Sequence, residues 1–287
     1  MNEISRRTLL KSLTGLGLLL AAPVLVWKGA VAAEARFSYG DYAKVLKTYV
    51  DDQGLVDYKG LRANRRPLDA FTAALAAMDR KLYDKWSGNQ KIAFQINAYN
   101  ALTLVAIIAN YPIKPSFFRG LRFPKNSIRQ IPGVWDKLQF PVMERKTTLD
   151  GIEHNILRAE FNEPRIHMAL VCAALGCPIL RREPYSRGKL GDQLDDQARG
   201  FMKEPGKFRI DRKDGRVYLS PIFKWFGGDF VNVYGTDKKF SGFGQTERAV
   251  LNFAGRYLDP KDRNYLEKGS YSIEYLTYDW SLNENKP

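Results

Sequence analysis

An α+β fold is what this sequence predicts: a mainly helical single domain around one buried central helix, with a small antiparallel sheet. Three observations carry that expectation. Residues 92–108 are apolar on nearly every face, as in a helix enclosed on all sides. Asp214-Gly215 sits between two short runs, Phe208-Arg209-Ile210 and Val217-Tyr218-Leu219, and reads as a hairpin turn. No internal repeat, low-complexity tract or Pro/Ser-rich linker interrupts residues 34–287, which are expected to form one globular domain.

The first 33 residues read as an address rather than as part of that domain. Arg6-Arg7 stands directly before an apolar run over residues 13–27, and the small residues Ala30-Val31-Ala32-Ala33 follow. Paired arginines, a short apolar stretch and a small-residue cleavage site make a twin-arginine export signal. The run is shorter than the roughly 20 residues of a spanning helix. Gly15, Gly17 and Pro23 also break it, so cleavage is favoured over retention as an anchor. The expected destination is the periplasm or the cell exterior, where disulfides persist.

Elements then follow in order. Residues 39–50 place Tyr42, Val45, Leu46 and Tyr49 on one helical face. A turn and a short extended stretch occupy 53–58, and a second helix spans about 68–78. The central helix is capped near Ser87 and continues to Asn110, where Tyr111-Pro112 stops it. Residues 113–140, rich in proline and aromatics, are expected to wrap the core irregularly. A helix opening at Thr147 or Thr148 carries His154 and ends before Pro164. Residues 166–175 are apolar, and periodicity does not separate helix from buried strand there. Helices near 223–230 and 245–257 and a last strand over 272–278 complete the chain.

The net charge is +14; four cations and one anion lie in residues 1–33, so the remainder carries +11. The cations are dispersed, without a run of five or a nucleic-acid motif, so nucleic acid is not an expected partner. A weak attraction to anionic envelope surfaces is expected instead.

The chain has two histidines and two cysteines, all within one short segment: His154, His167, Cys172 and Cys177. These types supply most near-neutral bases, nucleophiles and soft metal ligands. Cys177 lies in a Gly-Cys-Pro turn, where backbone amides can activate a thiol, whereas Cys172 sits in an apolar run and reads as core. A cysteine nucleophile needs a base and an orienter behind it. His167 or His154 has the chemistry of the base. Asn97 and Asn100, three apart on one face of the central helix, have the chemistry of the orienter, or of amides pinning a loop to the core. A bridge between Cys172 and Cys177 would close too short a loop to add much stability, and redox switching is its better rationale. Successive His and Cys donors are separated by twelve, four and four residues, atypical of structural zinc, and no cofactor is implied. Ser220 and Asp229 read as a helix cap and a loop anchor.

Several motifs together resemble the domain of unknown function 547 family. They are Gln95-Ile96-Asn97-Ala98-Tyr99-Asn100-Ala101-Leu102, Ile152-Glu153-His154-Asn155-Ile156-Leu157-Arg158, Arg165-Ile166-His167-Met168-Ala169-Leu170-Val171-Cys172 and Cys177-Pro178. Leu219-Ser220-Pro221-Ile222-Phe223-Lys224-Trp225-Phe226 and Tyr278-Asp279-Trp280-Ser281-Leu282-Asn283 extend the resemblance to nearly the whole of residues 40–285. The resemblance implies no single activity.

Two functions stay open. One is an exported cysteine-dependent hydrolase or transferase acting on an amide or ester bond of a small molecule, peptide or cell-envelope substrate. The other is a non-catalytic periplasmic binding or scaffold module whose Asn/His/Cys cluster is structural, with a zinc-bound form as its variant.

Overall fold

The computed structural model describes residues 37–285, so the proposed export signal lies outside the described residues. Helices dominate, as the patterning requires. In chain order the first are α1 (Gly40–Tyr49), α2 (Tyr58–Ala63), α3 (Arg66–Ala76), α4 (Arg80–Asp84) and α5 (Gly88–Asn110). α5 is the expected central helix. Ser87 and Gln90 form a reciprocal capping box at its start, satisfying donors that a helix terminus otherwise leaves open. By length and composition it could cross a membrane, yet 89% of its apolar window is buried inside the fold. Its burial continues through Gln95, Asn97, Asn100 and Thr103, so every polar side chain on those turns needs a partner within the protein.

The irregular segment after α5 contains only α6 (Phe117–Gly120) and a 3-10 turn, Ile128–Gln130. A tight hairpin, β1 (Phe140–Val142) with β2 (Arg145–Thr147), turns through Met143 and Glu144, both left-handed. The helix expected around His154 is present, but its first part, Gly151–Leu157, is wound as a π-helix before it tightens into α7 (Arg158–Glu160). Wider winding of this kind is rare and concentrates at functional sites. Residues 166–175 are neither long helix nor strand. A 3-10 turn, Pro164–Met168, gives way to an irregular buried segment whose backbone bonds are made by distant parts of the chain.

The remainder comprises α8 (Leu190–Lys203), β3 (Phe208–Asp211), β4 (Arg216–Leu219), α9 (Pro221–Phe226), α10 (Val231–Tyr234), α11 (Gln245–Gly255), α12 (Pro260–Lys268) and β5 (Ser272–Tyr275). β3 and β4 pair antiparallel around Gly215, as the Asp-Gly signal predicts. β5 instead adds parallel to β4, which corrects the expectation of a wholly antiparallel sheet. The helices α9 to α12 form the crossover that a parallel neighbour demands.

Two apolar clusters fill the domain. The larger surrounds α5, and the smaller lies among α8, α9, α11 and the three-stranded sheet. The C-terminal residues clasp the irregular segment: Leu175 and Gly176 donate to the carbonyls of Ser281 and Asp279, both at 2.8 Å. Leu282 donates to the Asn126 carbonyl (2.8 Å), and Asn283 to that of Ala173 (3.2 Å).

Candidate active site

A cavity of about 300 Å³ opens where the π-helix, the irregular segment, α9 and the C-terminal residues meet. It is lined by both histidines, both cysteines, Asp150 and Glu153, with an aromatic wall that includes Trp135, Trp225, Tyr278 and Trp280. The clustering of imidazole and sulfur in sequence is therefore also a clustering in space.

One polar relay ties the two histidines together. Arg158 forms a two-pronged ion pair with Asp229, through Nε to Oδ2 (2.6 Å) and Nη2 to Oδ1 (2.9 Å). Its Nη1 donates to His154 Nδ1 at 2.9 Å. A guanidinium can only donate, so His154 Nδ1 is the accepting nitrogen and the ring proton of the neutral form lies on Nε2, which faces Asp150 at 3.7 Å. On the other side of Asp229, His167 Nε2 lies 2.8 Å from Oδ2. His167 is buried and stacks on Phe226, with ring centroids 4.3 Å apart.

The charges follow from these contacts. Burial pushes the Asp229 carboxyl up, but hydrogen bonds from Arg158 and His167 outweigh it and hold the group well below the usual carboxylate range. Burial lowers His167 despite the adjacent carboxylate, so its neutral form is favoured; Nε2–H donates to Asp229 and Nδ1 keeps its lone pair. Glu153 is raised to about 7, mainly by burial, with the Tyr99 hydroxyl opposing and Asp150 adding to the rise.

The sulfurs are joined as a Cys172–Cys177 disulfide. Cys177 is buried and Cys172 half-buried, which reverses the expectation that Cys172 is the core residue. The reason is the irregular backbone: an apolar run confers no single facing direction without a helix or strand to impose one. Cys177 Sγ accepts the Cys172 backbone N–H at 3.0 Å and the Tyr278 hydroxyl at 3.1 Å. Between the cysteines, Ala173 holds φ at +57°, a left-handed conformation that a residue with a Cβ adopts only under constraint. Gly176 accommodates the Tyr278 ring so closely that a Cβ there would meet it at 2.9 Å.

Asn97 and Asn100 do not reach either imidazole. Asn97 donates to the Tyr185 carbonyl (2.8 Å) and accepts its N–H (2.9 Å). Asn100 donates to the Ala169 carbonyl (3.0 Å) and accepts from Val171 N–H (2.9 Å). Each carboxamide thus serves as a peptide-like partner for a loop without a ladder, which is the pinning alternative; the position behind an imidazole is taken by Asp229. Ser220 caps α9 as expected, donating no side chain to the cavity wall beyond that role. Asp229, read as a loop anchor, was visible in sequence only as one carboxylate beside two glycines. The zinc variant is not favoured by the donor geometry: the sulfurs bind each other, and among the described residues no three His, Cys, Asp or Glu side chains converge as a metal site.

The comparison with family models matches residues 83–202 to "Protein of unknown function, DUF547". That segment belongs to the DUF547 family. The match covers α5, the π-helix, both histidines and both cysteines, whereas Trp225, Asp229, Tyr278 and Trp280 lie beyond the matched DUF547 segment. No curated protein and no solved structure matches the chain.

Proposed function

We propose that the cavity is the active site of an exported thiol-dependent hydrolase or transferase acting on amide or ester bonds. The carrying observation is that a buried His167–Asp229 pair and the cysteine pair line one cavity. Cys177 is the nucleophile of this reading, His167 its base and Asp229 the orienter, in place of Asn97 or Asn100. His154 is a poorer base, because Arg158 occupies its accepting nitrogen. Catalysis requires the disulfide to be reduced first: a dithiol reductant supplies two electrons and two protons, becomes oxidised itself, and leaves two thiols. The Cys177 proton then passes to His167 as sulfur adds to the substrate carbonyl; the departing amine or alcohol takes that proton, and water or an acceptor releases the acyl group from sulfur. Tyr278 and the Cys172 N–H, already donating to this sulfur, favour negative charge on it.

The bridged sulfurs favour a second reading, a non-catalytic binding module with an aromatic pocket. Brief iodoacetamide treatment of Cys172→Ser, followed by intact-mass analysis at mildly acidic pH, separates the two. Rapid alkylation of Cys177, slowed at least about tenfold by His167→Gln or Asp229→Asn, supports the enzyme. Alkylation only after denaturation supports the binding module.

A further inference from the structure

The segment between α5 and the 3-10 turn carries three large apolar side chains that the fold leaves uncovered. Phe117 is 78% exposed, Phe118 83% and Leu121 77%. They are close in sequence, and the two phenylalanine rings touch edge to face with centroids 5.4 Å apart. A scattered exposed leucine needs no explanation, but three large apolar side chains exposed within five residues do.

The surroundings carry a single sign of charge. Lys114, Arg119, Arg122 and Lys125 flank the three apolar residues, Arg129 follows, and residues 85–135 contain no aspartate or glutamate. Among the described residues none of these five cations has a salt-bridge partner. Arg122 and Arg119 lie close enough to Arg129 to disfavour its charge, after burial itself. The fold therefore gathers positive charge here without neutralising it, and surrounds it with aromatic surface.

We infer that residues 114–125 dock the protein on an anionic phospholipid bilayer, with Phe117, Phe118 and Leu121 entering the headgroup–acyl boundary and the flanking cations meeting lipid phosphates. Aromatic and leucine side chains beside lysines and arginines have the composition of an interfacial anchor. Size argues against a protein partner. Phe117, Phe118 and Leu121 are three side chains, whereas a stable protein interface uses roughly 20–30 residues and about 800 Å² on each side. A bilayer needs no such area, because it supplies a continuous apolar phase for each side chain that enters. The cation cluster continues to the cavity: the Arg129 guanidinium lies 4.4 Å from the Phe123 ring centroid and 5.0 Å from that of Trp280 in the cavity wall. Docking through this segment sets one rim of the cavity toward the membrane surface.

The test is vesicle co-sedimentation of the chain from residue 34 onward, which retains both apolar clusters and lacks the apolar N-terminal run. Phosphatidylglycerol-containing vesicles are compared with pure phosphatidylcholine. Binding to the anionic vesicles is expected, weakened at least about tenfold by Phe117→Ser/Phe118→Ser and by Arg119→Gln/Arg122→Gln, and by raised salt. An unchanged thermal midpoint shows that the variants remain folded. Equal partitioning of wild type and both variants, or no binding to anionic vesicles, overturns the inference. So does concentration-dependent dimerisation in analytical ultracentrifugation that Phe117→Ser/Phe118→Ser abolishes, which would assign the face to a second copy of the chain.

Discussion

Replacing Glu153 with glutamine turns one buried carboxyl into a pH meter for the cavity. Glu153 is 8% exposed, and its carboxyl rises from 4.5 to about 7, chiefly through burial. Between those values the native state keeps a proton that the unfolded chain has already released. Native protein thus binds more protons, and stability falls as pH rises through that window. A shift of that size corresponds to about 3 kcal/mol, at 1.36 kcal/mol per pH unit. Glutamine keeps the shape and does not titrate. The variant should therefore match wild type near pH 4 and exceed it by about 3 kcal/mol at pH 8, or about 6–12 °C in thermal midpoint for a domain of this size. Paired thermal unfolding at about pH 4, 6 and 8 reads this difference while cancelling groups common to both proteins. A constant offset across the range would refute the reasoning, because it would mean that Glu153 ionises in the fold as it does in water.

Asp229→Asn sets an amide donor against Arg158 in either orientation, and against His167 as well in one of them. It should cost about 1–3 kcal/mol at pH 7 by urea midpoint, toward the lower end because the pair is partly exposed. Since Asp229 titrates below the usual carboxylate range, that deficit should persist down to about pH 4 and shrink only in stronger acid, as the wild-type carboxylate becomes protonated. Asn100→Ala strands the Ala169 carbonyl and the Val171 N–H, and a loss of about 2–4 kcal/mol is expected. A loss below about 1 kcal/mol would show that water replaces the amide. Gly176→Ala should displace the Tyr278 ring and destabilise the protein by about 1–3 kcal/mol, with a changed near-ultraviolet signal from that tyrosine.

The elements that rest on local rules were readable in the chain. Ser87 capping α5, Tyr111-Pro112 ending it and Asp214-Gly215 turning the hairpin each depend on a few adjacent residues. α8 was missed although its buried positions recur at helical spacing, because Gln193 and Gln197 occupy two of them and blur the apolar stripe. Parallel pairing of β5 was illegible for another reason: strand direction is decided by the four helices between β4 and β5, not by either strand. At the site, composition located the segment that matters, since His154, His167, Cys172 and Cys177 do share a cavity. Local sequence offered Asp229 only as a loop anchor, because its partners are 62 and 71 residues away. Nor could it choose between orientation and pinning for Asn97 and Asn100, because a carboxamide has the same donor and acceptor for either task.

The C-terminal clasp makes the recognisable segment smaller than the unit that can stand alone. A fragment cut at residue 202 would retain every histidine and cysteine yet lose Asp229, Tyr278 and the carbonyls of Asp279 and Ser281 that hold Gly176 and Leu175. Its sulfur-bearing loop would be left with open donors on one side and a buried imidazole N–H without its acceptor on the other. Grafting that stretch into another scaffold would therefore transplant the reactive groups without the parts that aim them. Boundaries drawn for expression or for swapping between chains must run to Asn285, whose backbone N–H donates to the Val56 carbonyl at 2.9 Å.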